Sequence, residues 1–191
     1  MTDREVLLTI LKIFYINKKI KKGELYMMEE LDPIRYEIFY NKLDQIVNEG
    51  KEVIRYLSGS TITRESGEVL SAFYLPSGEA VIIACGILMH VMNVTRVIRY
   101  MKENRYDALD IGIYDGDHFI NNDAYIGGMH IPDTAIVAPV FYGNELVGWV
   151  AGISHTTETG AIEPGGVAPS ATEAYHDGIH LPVLKLIEKG R

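Results

Sequence analysis

Apolar residues recur at helical intervals through the first third of the chain and at strand-like alternation later. Val6, Leu7, Ile10, Leu11 and Phe14 follow the capping-box pair Thr2 and Glu5 at the spacing of one helix face. Lys18, Lys19, Lys21 and Lys22 suit the end of that helix and Gly23 its stop. A second helix is predicted from Asp32-Pro33, an N-cap followed by a first-turn proline. Its expected apolar face is Ile34, Ile38, Phe39, Leu43, Ile46 and Val47, continuing past Gly50 through Val53, Ile54 and Leu57 until Ser58-Gly59-Ser60 breaks it.

After Gly67 the period shortens. Glu68 to Leu75 and Glu79 to Ala84 read as strands joined at Pro76-Ser77-Gly78. Helical spacing returns from Met89 to Lys102, with Val91, Val94, Val97, Ile98 and Met101 on one side. Asp117 to Asn121, Thr134 to Tyr142 and Glu145 to Ile153 then read as strands, the last two turning at Gly143-Asn144. From Glu158 onward, Gly, Pro, Ser and Thr predict loop. The expected class is α+β: an N-terminal helical segment over residues 1–60, then a mixed β-sheet region over 61–191.

Composition narrows what such a fold does. Apolar residues make up 47% of the chain, enough for a real core. No run approaches the 18 or so apolar residues of a membrane span, and charges interrupt the first segment where a signal peptide would be apolar. The net charge of −8 argues against nucleic acid as a partner. Cys85, the single cysteine, lies in the apolar run Val81 to Ile87; it suits packing better than nucleophilic chemistry, and a reducing cytoplasm.

The distribution of charge says more than its total. Between Arg105 and Lys185 there is no lysine or arginine, yet eleven carboxylates fall there, from Asp107 to Asp177. Alone, that describes a solubilising acidic face. Histidines in the same stretch make a bound cation the sharper alternative, because no ammonium group competes for the acids.

The candidate ligands sit in the long loop Asn121-Asn122-Asp123-Ala124-Tyr125-Ile126-Gly127-Gly128-Met129-His130-Ile131-Pro132-Asp133, between two predicted strands. His130 and Asp133 lie three residues apart. The hairpin that follows goes out and returns, bringing His155 back near them. Two imidazoles and a carboxylate form a divalent-metal set with open positions, suited to zinc, manganese or iron(II). Asp123 is a further ligand or an acceptor for an imidazole N–H. By spacing alone such a set also arises by chance. His90 reads as a structural histidine at a helix start, and His118 as a solvent-facing strand residue. His176 and His180 have i, i+4 spacing, but Gly178 and Pro182 oppose a helix there. No phosphate-cradling glycine motif is present, so nucleotide binding by this chain alone is unsupported. Arg96, Arg99, Lys102 and Arg105 read as a solvated basic face.

The runs Gly116-Asp117-His118-Phe119-Ile120-Asn121-Asn122-Asp123 and Gly127-Gly128-Met129-His130-Ile131-Pro132-Asp133 resemble the N-terminal region of the hydantoinase B/oxoprolinase family. So do Gly143-Asn144-Glu145-Leu146-Val147-Gly148-Trp149-Val150, Ser154-His155 and Ile162-Glu163-Pro164-Gly165. Tyr40-Asn41-Lys42-Leu43, Gly86-Ile87-Leu88-Met89-His90-Val91, Tyr100-Met101-Lys102-Glu103-Asn104 and Thr157-Glu158-Thr159-Gly160 resemble, within it, the alpha subunits of acetone and acetophenone carboxylases. The resemblance runs from about Asp32 to the end of the chain and covers about the first third of family members.

It implies a metal centre, manganese in the carboxylases, with ligands at His130, Asp133 and His155. It implies ATP bound by a hydantoinase A-like partner subunit, and carboxylation of a ketone whose oxygen and enolate the ion stabilises. The remaining C-terminal part of a hydantoinase B-like subunit is then a second partner. His90, Glu158 and Asp123 are the candidates for the proton-removing base. Two alternatives stay open: ATP-dependent opening of a cyclic amide such as a hydantoin or 5-oxoproline, and a non-catalytic module that binds partner subunits.

Overall fold

The computed structural model describes residues 33–108 and 111–191. The first expected helix and the Asp32 cap lie outside them. Helix α1 (Pro33–Leu57) is followed by a single π-helical turn, Ile62–Ser66, and the hairpin of strands β1 (Val69–Tyr74) and β2 (Ala80–Cys85). Helix α2 (Met89–Glu103) precedes β3 (His118–Asn121), β4 (Asp133–Tyr142), β5 (Glu145–His155), a short 3-10 turn (Ala174–Asp177) and β6 (Leu184–Ile187). The six strands form one sheet in the order β2-β1-β5-β4-β3-β6, antiparallel at every pairing. The α+β class expected from the pattern is the class observed.

The two helices cover opposite faces, and strand alternation assigns the residues. Leu70, Ala72 and Tyr74 of β1 join Ala135, Val137, Trp149, Ala151 and Ile153 against Val91, Val94, Val97, Ile98 and Met101 of α2. The remaining parity, Phe73 with Ile82 and Ala84, packs on Val47 of α1. Only part of the apolar set expected for α1 is buried. Phe39 and Val47 are, and Leu43 packs against their neighbours, whereas Ile34, Ile38 and Ile46 are exposed. The helix crosses the sheet along the stripe Phe39, Leu43, Val47, Gly50 and Ile54, which is narrower than its hydrophobic content. Gly50, a weak point on propensity, is where that crossing is tightest. A Cβ there would stand 2.6 Å from Ser71 Oγ.

Strand β6 falls inside the stretch read as loop. It is four residues long, and its dock is built from side chains remote in sequence. The Asn122 carboxamide accepts the Leu181 N–H at 2.7 Å and donates to Ile179 O at 2.9 Å. Fully buried Asp117 accepts the Lys189 N–H at 2.8 Å and pairs with Lys185 Nζ at 2.8 Å. Among the described residues, no helix is long and apolar enough to cross a membrane.

Candidate metal centre

Antiparallel register brings three strand ends together. Asp133, the first residue of β4, pairs directly with His155, the last of β5. Val69 opposes Ser154 across β1 and β5, so Glu68 lies beside His155, whose N–H reaches Glu68 O at 3.3 Å. His130 joins from the loop before β4, where the Asp133 N–H bonds to His130 O at 3.1 Å. One ligand atom from each of Glu68, His130, Asp133 and His155 lies within 4.8 Å of the others. The His130 and His155 rings stand 4.9 Å apart at 53°. His90, one helical turn before Val94, enters from α2.

The cluster is closed behind and open in front. The side chains of His90, Asp133 and His155 are 0%, 2% and 6% exposed; those of Glu68 and His130 are 28% and 42% exposed. His90 Nε2 and His130 Nε2 approach Asp133 Oδ2 at 3.4 and 3.3 Å. Neither approach is aligned as a hydrogen bond, and both Asp133 oxygens, both His90 nitrogens and His155 Nδ1 lack a hydrogen-bond partner. Buried polar atoms cost free energy when unsatisfied, so this concentration of them fits a bound cation. Burial pushes the Asp133 carboxyl up, but the His130 and His90 imidazoles against it outweigh that and hold it well below the carboxylate range. The same contact with Asp133 raises His130. Two imidazoles with two carboxylates suit first-row divalent ions.

The other sequence-derived candidates sit elsewhere. Asp123 Oδ1 caps a turn by accepting the Tyr125 N–H at 2.7 Å and is outside the converging group. Glu158 accepts four backbone N–H groups, from Gly165, Ala161, Thr159 and Gly160, and these hold its pKa down to about 2. His118 Nδ1 lies 3.2 Å from Gly116 O. His176 pairs with Glu173 at 3.2 Å, and His180 Nε2 is 3.0 Å from Ala174 O, so neither joins the group. Burial pushes the Cys85 thiol up, opposite to what a nucleophile requires. Glu68 went unnoticed in the sequence because its place depends on the β1–β5 register. The one local signal was an acid immediately before a strand that must pair somewhere.

The model of the family described as hydantoinase B/oxoprolinase matches residues 32–191. The chain belongs to that family. Among its hydantoinase B/oxoprolinase relatives, the acetone carboxylase alpha subunit of Xanthobacter autotrophicus is 33% identical over 159 residues, covering 83% of this chain and 20% of that protein. The acetophenone carboxylase delta subunit of Aromatoleum aromaticum is 37% identical over 165 residues, covering 86% of this chain and 23% of the relative. The chain thus spans less than a quarter of the length of either. A nucleotide-free structure of acetone carboxylase superimposes with a TM-score of 0.81 at 28% identity, over 97% of this chain and 25% of that one. The ATP-dependent caprolactamase of Pseudomonas jessenii does so at 0.66 and 26% identity, over 85% and 28%.

Proposed function

We propose that this chain forms the metal-holding part of an ATP-dependent ketone carboxylase of the acetone carboxylase kind. The observation that carries the reading is the convergence of Glu68, His130, Asp133 and His155 at three neighbouring strand ends, with buried donor atoms that no protein group satisfies. The ion is manganese, with zinc and iron(II) the alternatives that the same donors accept. When bound, it supplies Lewis-acid polarisation of a carbonyl oxygen.

The residues around it divide the work. Asp133 and His155 are immobilised by burial and fix the orientation of the set. His130 and Glu68 border the exposed side, which is where a small ketone approaches. His90 lies behind Asp133 and holds that carboxylate from the core, as groups outside the ligand set do in other metal sites. Glu158 and Asp123 already accept backbone N–H bonds, which suits positioning better than proton abstraction. ATP is bound by a hydantoinase A-like subunit, and the C-terminal part of a hydantoinase B-like subunit completes the enzyme, in the cytoplasm.

A second reading is favoured by the caprolactamase likeness and by the 5-oxoprolinase of Dictyostelium discoideum, 29% identical over 161 residues. It keeps the centre and directs the polarised carbonyl to ATP-dependent opening of a cyclic amide. The assembled complex with ATP, labelled bicarbonate and acetone separates the two. The carboxylase reading predicts label in the acid product. No incorporation, together with ATP turnover stimulated by 5-oxoproline or hydantoin, supports the hydrolase instead. A complex whose rate is unchanged when this chain is left out contradicts both.

A further inference from the structure

The segment after His155 folds back over it. Thr156 donates its backbone N–H and its hydroxyl to Pro132 O, at 2.8 and 3.0 Å. Glu158 then gathers four backbone donors. Its Oε1 accepts the N–H groups of Thr159, Gly160 and Ala161 at 2.8, 3.0 and 3.1 Å, and its Oε2 accepts that of Gly165 at 2.8 Å. One carboxylate thereby ties both ends of the loop from 159 to 165, using charge-assisted bonds that a neutral side chain would make more weakly.

The loop it closes lies against the metal centre. Gly166 has φ +73°, and a Cβ there would stand 3.2 Å from Pro132 Cγ and 3.9 Å from His155 Cε1. The Gly166 backbone therefore lies beside the His155 imidazole, in a left-handed conformation and tight against Pro132 that favour glycine there. The exposures agree: the His155 side chain is 6% exposed, while that of His130, whose ring is 4.9 Å away, is 42% exposed.

We infer that Glu158 is a positioning residue of the metal centre: its carboxylate holds the 159–166 loop as a wall against His155, so that the ion is approached only past His130 and Glu68. This rests on the metal reading for its purpose but not for its geometry. Without the clamp, the wall loses four N–H anchors at once and the His155 ring gains both solvent and rotational freedom. A ligand free to rotate holds an ion less well, because binding must then order it.

The test has two arms, both on the full chain. In the metal-free protein, histidines are modified with diethylpyrocarbonate and mapped by mass spectrometry. The wild type should show His130 reactive, with His155 and His90 protected. In Glu158→Ala, modification of His155 should rise several-fold while His90, buried in the core, stays protected and reports that the fold is intact. Glu158→Gln keeps one acceptor oxygen and should fall between. Gly166→Ala, strained at φ +73° and tight against Pro132, should shift the wall and expose His155 with the clamp in place. Should Glu158→Ala open His90 as well, the two milder variants decide by the same criterion. In the second arm, manganese(II) affinity should weaken about 10-fold in Glu158→Ala, the scale seen when groups behind a ligand are removed. Protection of His155 unchanged in every variant that keeps His90 protected overturns the inference. Failure of the wild type to bind manganese defeats the metal reading instead, and the modification arm still decides the role of Glu158.

Discussion

The Thr63 side chain is fully buried in the π-helical turn, with its hydroxyl 2.9 Å from His155 O, 3.4 Å from Glu68 O and 3.1 Å from Ser154 Oγ. A hydroxyl donates once, so the shorter contact to His155 takes its proton and Ser154 donates in return. His155 is thus tied through its backbone carbonyl to that side chain, with the Glu68 carbonyl beside it, and π turns tend to occur at functional sites. Thr63→Val preserves shape and removes the hydroxyl; it should cost about 1–2 kcal/mol, read by denaturation with the buried Trp149 as fluorophore, and should weaken metal binding. Thr63→Ser should restore most of both. Equal behaviour of the two variants would assign Thr63 to packing alone. Asp117 offers a prediction in pH. Its burial raises the carboxyl, but Lys185 and the N–H groups of Lys189 and Tyr114 outweigh that and lower it. A depressed native pKa contributes stability that is complete above the unfolded carboxylate value of about 4 and is lost as pH falls through the native one. Wild-type stability should therefore decline below about pH 4. Asp117→Asn should lose on the order of 3 kcal/mol near neutrality, and the difference from wild type should shrink in acid; a constant difference would contradict the pairing.

The elements that were legible in the sequence are those whose period is long and uninterrupted. The β4–β5 hairpin, with alternation on both sides of Gly143-Asn144, and α2, with its stripe from Val91 to Met101, lie within a residue or two of expectation. Strand β6 and the Ile62–Ser66 turn were not legible: four or five residues carry no measurable period, and Asn121, Asn122 and Asp117, which dock β6, lie about 60 or more residues away. The site divides the same way. His130, Asp133 and His155 were reachable through the hairpin, a local structure. Glu68 and the approach of His90 depend on β1–β5 register and on where α2 crosses the sheet, which no spacing encodes. Helix α1 shows how packing overrides propensity. Gly50→Ala should gain helix propensity of about 1 kcal/mol, yet its methyl meets Ser71 Oγ. The gain should appear in urea unfolding only when Ser71→Ala is also present, and equal gains in both backgrounds would disprove that close approach.

At the scale of the molecule, the absence of cationic side chains between Arg105 and Lys185 is resolved into several separate uses. Asp117 finds its cation in Lys185 when β6 returns to the sheet. Asp123 and Glu158 hold turns through backbone N–H groups. Of the described carboxylates in that stretch, Asp133 alone belongs to the converging group, and its remaining acid, Glu68, comes from just before β1. A cation-poor stretch thus marked the neighbourhood of the site rather than its membership. Exposed apolar residues line α1, with Ile46 60% and Tyr56 89% exposed, in a chain that spans under a quarter of the length of either carboxylase relative.

Metal analysis of the purified chain after supplementation with manganese and zinc decides whether Glu68, His130, Asp133 and His155 hold an ion. About one transition-metal ion per folded chain is expected, lost in His130→Ala and in His155→Ala, weakened in Glu68→Gln and retained in His176→Ala. A wild type that stays metal-free, or an ion kept by both His130→Ala and His155→Ala, would contradict it.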